Sequence, residues 1–417
     1  GRFEQGGVAD GQRREGARVV DRQKRGQQHR RSGRRVGPRS RQIVDHDFEH
    51  TTSDTAELLL LRARRTDVEQ WLLLELRPAL AAAKELMRRG HTVSWLGSPD
   101  SFETRHVPQH QIEIDTVNIK GLRGNGIMRL LGAPMLLTQS ILQALSVLRK
   151  RKPALVVGMG GFASGPGGVA AKLLGIPLVI HEQNAIAGMT NRLLSRIAKA
   201  VCEAFPDTFP KSTKRHTVGN PVRADILSLG EPLERYSERT GPLQMLVIGG
   251  SLGAQALNET VPLALAKLPD GQRPKVGHQA GRGKDAATRE HYANAGVDAW
   301  VVEFIDDMAD AYAWADLVVC RSGALTVSEL AAAGVAALLV PYPHAVDDHQ
   351  TANGNYLARE GAAIMIQQRD LGPDRLANEL RSLDRKKVTR MAVTARSLAK
   401  HDATGRFADI CEEVLAA

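Results

Sequence analysis

Two segments of this chain follow one local plan: an apolar strand runs into a turn of small residues that opens a helix. This plan constrains the fold more than any other feature. The first segment is Gln244-Met-Leu-Val-Ile-Gly-Gly-Ser-Leu-Gly-Ala-Gln255. The second is Leu317-Val-Val-Cys-Arg-Ser-Gly-Ala-Leu-Thr-Val-Ser-Glu329, which continues into Leu330-Ala-Ala-Ala-Gly334. A short, wholly apolar run suits a strand buried on both faces, as in a parallel sheet. The free N–H groups of a helix start at the end of such a strand attract anions. Gly249 and Gly250 permit a tight turn, and Gly253 permits close backbone approach. The spacing is not G-x-G-x-x-G and no P-loop lysine is present, so a phosphate-binding turn of another kind is expected. Glu329 stands where a carboxylate can accept two hydrogen bonds from a ribose diol. It could equally close a capping box, Thr326-x-x-Glu329, with no ligand involved.

The same alternation extends back to Pro78. A helix is expected over Ala79–Gly90, and a strand over His91–Gly97. Next come a strand at Ala154–Gly158 and a glycine-rich turn, Gly158-Met-Gly-Gly161-Phe-Ala-Ser164-Gly-Pro-Gly-Gly168, with a helix from Gly167 to Leu174. Leu178–Ile180 reads as a strand and Gly188–Ala198 as a helix, followed by a connector at Val218–Asp225. The pattern restarts at Gln244, runs to about Leu371, and gives way to helices over Asp374–Ala416. Alternating strands and helices imply α/β architecture with parallel sheets. Two such doubly wound domains would take ligand between them, outside the carboxyl ends of their strands. The expected division is a basic, disordered or non-native extension at 1–70, an N-terminal domain at 71–222, a linker at 223–240, a C-terminal domain at 241–372 and terminal helices at 373–417.

Composition narrows the class. The chain has 417 residues, 42% of them apolar, enough for two ordinary domains. Its net charge of +10 is concentrated at the start, because residues 1–50 hold 13 Lys+Arg against 7 Asp+Glu. The remaining body has an ordinary charge balance, so no nucleic-acid partner is expected. Cys202, Cys320 and Cys411 are far apart and odd in number, which predicts a reducing compartment with neither a disulfide framework nor a zinc site. No apolar run is long enough to cross a bilayer, and no signal peptide is expected.

Seven motifs together resemble one family. They are Gly121-Leu-Arg-Gly124, Gly158-Met-Gly-Gly161 with Ser164-Gly-Pro-Gly-Gly168, His181-Glu-Gln-Asn184, Gly219-Asn-Pro-Val-Arg223, Gly249-Gly-Ser251, Glu303-Phe-Ile-Asp-Asp-Met308 and Arg321-Ser-Gly-Ala-Leu-Thr-Val-Ser-Glu329. From Pro78 to the C-terminus the chain is similar to the bacterial family 28 glycosyltransferases that form lipid II. The resemblance implies a GT-B fold, two Rossmann-like doubly wound parallel-sheet domains around a cleft. It implies transfer of N-acetylglucosamine from UDP-N-acetylglucosamine to the muramoyl C4 hydroxyl of lipid I, with inversion and with no metal or cofactor. It implies a peptidoglycan and cell-division setting, peripheral on the cytoplasmic face of the inner membrane, with other cell-wall proteins as partners.

The resemblance also assigns residues. Ser251 and its turn would contact the diphosphate, and Arg223 would neutralise it or hold the linker. Ile305 would bind uracil through its backbone, and Ala324, Leu325, Thr326, Val327, Ser328 and Glu329 would bind the donor, Glu329 at the ribose. Asn184 and Gln350 would read sugar hydroxyls, which suits amides that both donate and accept. His181 and Glu182 would serve the acceptor as catalytic groups, although adjacent residues of a continuing strand face opposite ways. The apolar stretch Ile127-Met-Arg129-Leu130-Leu-Gly-Ala-Pro-Met135-Leu-Leu, beside Lys120 and Arg123, would touch the membrane, or else form an ordinary core helix.

One departure bears on mechanism. The family's first domain opens with a strand and a loop, Gly-Gly-Thr-Gly-Gly-His, whose His is a leading candidate for the general base. Here Leu72-Leu-Leu74 and Glu75 occupy the last positions of that loop, and no glycine occurs from Arg41 to Arg89. Glu75 is chemically able to be a base, but leucines do not adopt positive-φ turns cheaply. A second departure is Leu252, where many relatives carry an amide. The other readings are a UDP-N-acetylglucosamine 2-epimerase-like enzyme and a non-catalytic nucleotide-sugar binder.

Overall fold

The computed structural model describes residues 66–118 and 127–417. The basic extension before residue 66 and the Gly121–Gly124 motif lie outside the described residues, as do the side chains of Glu75, Leu130 and Leu131.

The first half carries six short parallel strands in two separate sheets. β1 (Ser94–Gly97) pairs with β2 (Glu113–Thr116). β3 (Val156–Gly158), β4 (Leu178–Glu182), β5 (Ala200–Glu203) and β6 (Arg215–Thr217) form a second sheet in that order. Both sheets share the same helix layers. The helix Thr66–Arg88 places Leu76, Leu80 and Ala83 against Val107, Ile112 and Trp95 on the two-stranded side, and Ala82 against Val179 and Ala200 on the other. On the second face, Leu96 and Val156 meet Ala170 and Ala171 of the helix Gly161–Leu173.

That first helix begins at Thr66, well before the expected Ala79, so Pro78 lies inside it. Leu72–Leu76 are good helix formers, and no glycine interrupts them. The strand after it starts only at Ser94, because Gly90 (φ 95°) and His91 close the helix end by donating to Met87 O and Leu86 O. The glycine-rich stretch 161–168 is also helical rather than a turn. Its glycines serve packing: a Cβ on Gly168 would lie 2.6 Å from Leu194 Cδ2.

The second half is one six-stranded parallel sheet of order β12-β11-β10-β7-β8-β9. Its strands are β7 (Gln244–Ile248), β8 (Lys275–Gln279), β9 (Trp300–Val302), β10 (Leu317–Cys320), β11 (Ala336–Leu339) and β12 (Ala363–Met365). Leu317–Cys320 and Ala336–Leu339 are buried throughout, as expected of strands covered on both faces. The terminal helices divide their packing. Pro373–Arg381 and Arg385–Ser397 cover this sheet through Leu376, Ala377, Val388 and Met391. Ala403–Ala416 returns to the first half and sets Phe407, Ile410 and Cys411 against Val179 and Cys202. Arg89 fastens that return through Asp409 at 2.8 Å and Glu412 at 2.7 Å.

Candidate active site

The chain leaves β7 toward β8 on one side and leaves β10 toward β11 on the other, so the sheet reverses direction between these neighbours. They pair in register, Ile248 opposite Cys320, and both end at the same level. The two strand–turn–helix units found in the sequence are therefore side by side at a topological switch point, where open α/β sheets bind ligands.

The turn after β7 is tightly built. Gly250 and Gly253 adopt φ of 78° and 72°. Gly249 N donates to Gln279 O at 3.1 Å, and Arg282 N donates to Ser251 O at 3.2 Å. A Cβ on Gly253 would sit 2.1 Å from Ala280 O, so only glycine fits this crossing. Ser251 is 8% exposed, and its Oγ has no hydrogen-bond partner among the described residues. A buried hydroxyl without a partner is costly unless something else satisfies it.

The helix after β10 is Ala324–Ala333, with Gly323 as its N-cap. Thr326 and Glu329 lie inside it, so they form no capping box. Ala324, Leu325 and Thr326 occupy the first turn, where N–H groups lack intrahelical partners. Val327 is fully buried and Ser328 Oγ donates back to Ala324 O at 3.0 Å, so neither side chain is free to reach a ligand. Glu329 Oε2 accepts from the hydroxyl of buried Tyr312 at 3.1 Å. Burial, and then the charge of Glu329, push the Tyr312 phenol well above its ordinary range, so it remains a donor. Arg223, in the connector, has Nη2 3.2 Å from Asp225 Oδ2. Yet its Nε and Nη2 are buried and make no hydrogen bond among the described residues. Ile305 is 8% exposed and packs in the same core as Val327 and Tyr312.

At the end of β4 the geometry departs from a catalytic pair. Glu182 is 5% exposed, and four donors occupy its carboxylate: Asn184 N (3.0 Å) and Asn184 Nδ2 (3.3 Å) on Oε1, Gly188 N (3.1 Å) and Asn191 Nδ2 (3.0 Å) on Oε2. Saturated in this way, it builds the 183–188 loop. His181 is 1% exposed, with Nε2 2.9 Å from Gly219 O and its ring edge against Phe407. Burial lowers its pKa, which keeps the ring neutral and makes Nε2–H the donor to that carbonyl. Both residues hold backbone in place, and neither is exposed to receive a hydroxyl proton.

Asn184 joins the halves instead. Its Oδ1 accepts from Asn353 Nδ2 at 3.2 Å, and Ala185 N donates to Asn353 Oδ1 at 2.8 Å. Asn220 Nδ2 likewise donates to Gln183 O at 3.0 Å and to Ser328 Oγ at 3.2 Å. Gln350 anchors the 342 loop by accepting from Tyr342 N at 2.9 Å, next to Asp347 and Asp348 at φ of 52° and 54°. Two consecutive non-glycine residues in the left-handed region are strained, which is typical beside functional loops. Sequence reasoning missed Asn353, Asn220, Tyr312 and Gln279. Asn353 lies in a helix, Gln279 at a strand end and Asn220 in the Gly219–Arg223 motif of the connector, and their positions beside Asn184, Gly250 and Ser328 show what each does.

Two parallel-sheet α/β halves, with a glycine turn and a helix start side by side at a switch point, define a GT-B fold. The comparison with known proteins is narrower. Residues 75–203 match the glycosyltransferase family 28 N-terminal domain and residues 244–414 its C-terminal domain, so the chain belongs to glycosyltransferase family 28. It is 52% identical over 339 residues, covering 81% of this chain and 94% of the relative, to the UDP-N-acetylglucosamine--N-acetylmuramyl-(pentapeptide) pyrophosphoryl-undecaprenol N-acetylglucosamine transferase of Pseudomonas savastanoi pv. phaseolicola. The crystal structure of Acinetobacter baumannii MurG superposes with a TM-score of 0.74 at 46% identity, covering 81% of this chain and 96% of that one. A UDP-GlcNAc 2-epimerase from Neisseria meningitidis superposes with a TM-score of 0.55 at 13% identity, covering 81% and 97%, which shows a shared fold alone.

Proposed function

We infer that the chain transfers N-acetylglucosamine from UDP-N-acetylglucosamine to the C4 hydroxyl of the muramoyl unit of lipid I, with inversion, giving lipid II and UDP. The observation that carries this reading is the pairing of the 249–254 turn with the Ala324 helix start at the β7/β10 switch point. In the reaction the C4 oxygen attacks C1 of the donor sugar, the C1–O bond to UDP breaks, and a base takes the hydroxyl proton. Departing diphosphate gains charge, which backbone N–H groups, a helix N-terminus and a cation can stabilise. The Ser251 turn, the N–H groups at Ala324–Thr326 and the guanidinium of Arg223, whose Nε and Nη2 make no hydrogen bond among the described residues, are suited to that task. Glu329, oriented by Tyr312, takes the ribose; the Ile305 backbone takes uracil; Asn184 and Gln350 take sugar hydroxyls. His181 and Glu182 act by shaping the acceptor-side loop. The domain limits given above describe this division of labour, with the acceptor side in 71–222 and the donor side in 241–372.

Calorimetric titration with UDP-N-acetylglucosamine tests the reading, and absence of binding overturns it. Glu329→Ala is expected to raise the donor dissociation constant roughly tenfold to a hundredfold, the worth of a charge-assisted hydrogen bond. An unchanged constant removes Glu329 from the ribose site.

We further propose that the enzyme works on a membrane surface, at the cytoplasmic face of the inner membrane. No described helix is long and apolar enough to cross a membrane. On the helix Ile127–Arg151, however, Met135 is 80% and Leu142 60% exposed, seven residues apart and so on one helical face. Such a stripe suits interfacial contact. The double variant Met135→Asp with Leu142→Asp is expected to lose most of its sedimentation with anionic liposomes, and unchanged sedimentation removes the surface.

A further inference from the structure

We propose that Gln279 is a positioning residue that ties the diphosphate turn to the uracil loop, so that the two ends of the donor pocket bind as one unit. The proposal rests on the donor-site reading above. Gln279 ends β8 and is 3% exposed. Its amide nitrogen donates to Gly250 O at 3.1 Å and to Glu303 O at 3.3 Å. A primary amide has two N–H donors, and here each serves a different loop. Gly250 belongs to the turn before Ser251, and Glu303 lies two residues before Ile305.

The consequence follows from peptide geometry. In a trans peptide the carbonyl of one residue and the N–H of the next point in opposite directions. Holding Gly250 O inward on Gln279 therefore turns Ser251 N–H away from the core, and holding Glu303 O inward does the same for Phe304 N–H. Gly253 N donates to the same Gly250 O at 2.9 Å, and Gln279 is the group that links this carbonyl to Glu303 O and so aims a donor at each end of the pocket together. The Gln279 backbone adds a further tie, its O accepting from Gly249 N at 3.1 Å. The strand end is itself rigid. His278 Nε2 lies 3.0 Å from Asn258 Oδ1, its Nδ1 lies 2.9 Å from Tyr292 OH, and Asn258 Nδ2 donates to Ala280 O at 3.0 Å. Burial pulls the His278 pKa down to about 3, so this network stays neutral at any working pH.

The test replaces both donors at constant length. Gln279→Met is expected to raise the dissociation constants of UDP and UDP-N-acetylglucosamine about tenfold, the worth of two buried neutral hydrogen bonds, while the affinity for a lipid I analogue stays unchanged. Tyr292→Phe, which loosens the same strand end without touching either loop, is expected to lower thermal stability and leave UDP affinity unchanged. A second measurement needs no variant. In the wild-type chain, uridine without phosphate should slow amide hydrogen exchange at 249–253 as well as at 303–306. Equal UDP affinity in Gln279→Met, or uridine protection confined to 303–306, overturns the proposal while leaving the donor site intact. Failure of the wild-type chain to bind UDP overturns both.

Discussion

The purified chain is expected to bind UDP-N-acetylglucosamine normally, yet to release UDP in the presence of a lipid I analogue about 10²–10⁴-fold more slowly than a relative with a positioned base. The proposed donor groups are the turn, the helix start and Glu329 of the second half, with Arg223 in the connector before it. The deficit lies in the first half. The resemblance puts a glycine loop and its His at the positions that Leu72–Glu75 hold here, and those residues continue a helix that starts at Thr66. A helix has its N–H groups spent on its own carbonyls, so none is left for a diphosphate. Neither His181 nor Glu182 compensates, the one sealed by Phe407 and the other saturated by four donors. Single-turnover assays alongside titration calorimetry separate binding from chemistry. Turnover equal to that of the relative would place a working base elsewhere, and its loss in Glu75→Gln would identify Glu75. Absence of donor binding would contradict the expectation from the other side.

The second large effect concerns stability. Asp316 is fully buried just before β10. Its carboxylate accepts from Arg239 Nη1 at 2.6 Å, from Arg385 Nη1 at 3.0 Å and from Gln244 N at 2.9 Å. It therefore joins the linker, the first strand of the six-stranded sheet and a terminal helix. Arg239 also donates to Trp314 O at 2.9 Å and lies over the Tyr236 ring. Removing the anion from a buried pair leaves uncompensated positive charge and costs about 3–5 kcal/mol. Asp316→Ala should lower the melting temperature by on the order of 10 °C, at a few degrees per kcal/mol for a domain of this size. Asp316→Asn keeps acceptor capacity and should lose less. A shift of under roughly 2 °C in Asp316→Ala would mean that the arginines find other partners at little cost.

The sequence by itself determined the class of fold and the two strand–turn–helix units of the second half. Met245–Ile248 and Leu317–Cys320 are short and wholly apolar, the first followed directly by Gly249 and the second by Gly323 three residues on, so strand and turn are dictated locally. Gly334 ends its helix in the left-handed conformation that glycine adopts without strain. Expectations failed where a local pattern was open to two readings. Gly165–Gly168 looks like a turn, yet it is helical, and the missing side chain of Gly168 leaves the space that Leu194 fills. Thr326 and Glu329 have capping-box spacing, but the helix already begins at Ala324 with Gly323 as its N-cap.

Only the tertiary structure decided what the polar residues do. Strand order made the two turns neighbours, and no periodicity encodes strand order. The C-terminal helix, crossing back to the first half, brought Phe407 against His181. The 183–188 loop folded onto Glu182 and took up its carboxylate. Gln279 and Asn353 acquired their places because burial forces an amide to find partners, and those partners come from distant parts of the chain. A residue's type sets which bonds it can make, and the packed structure sets which of them it does make.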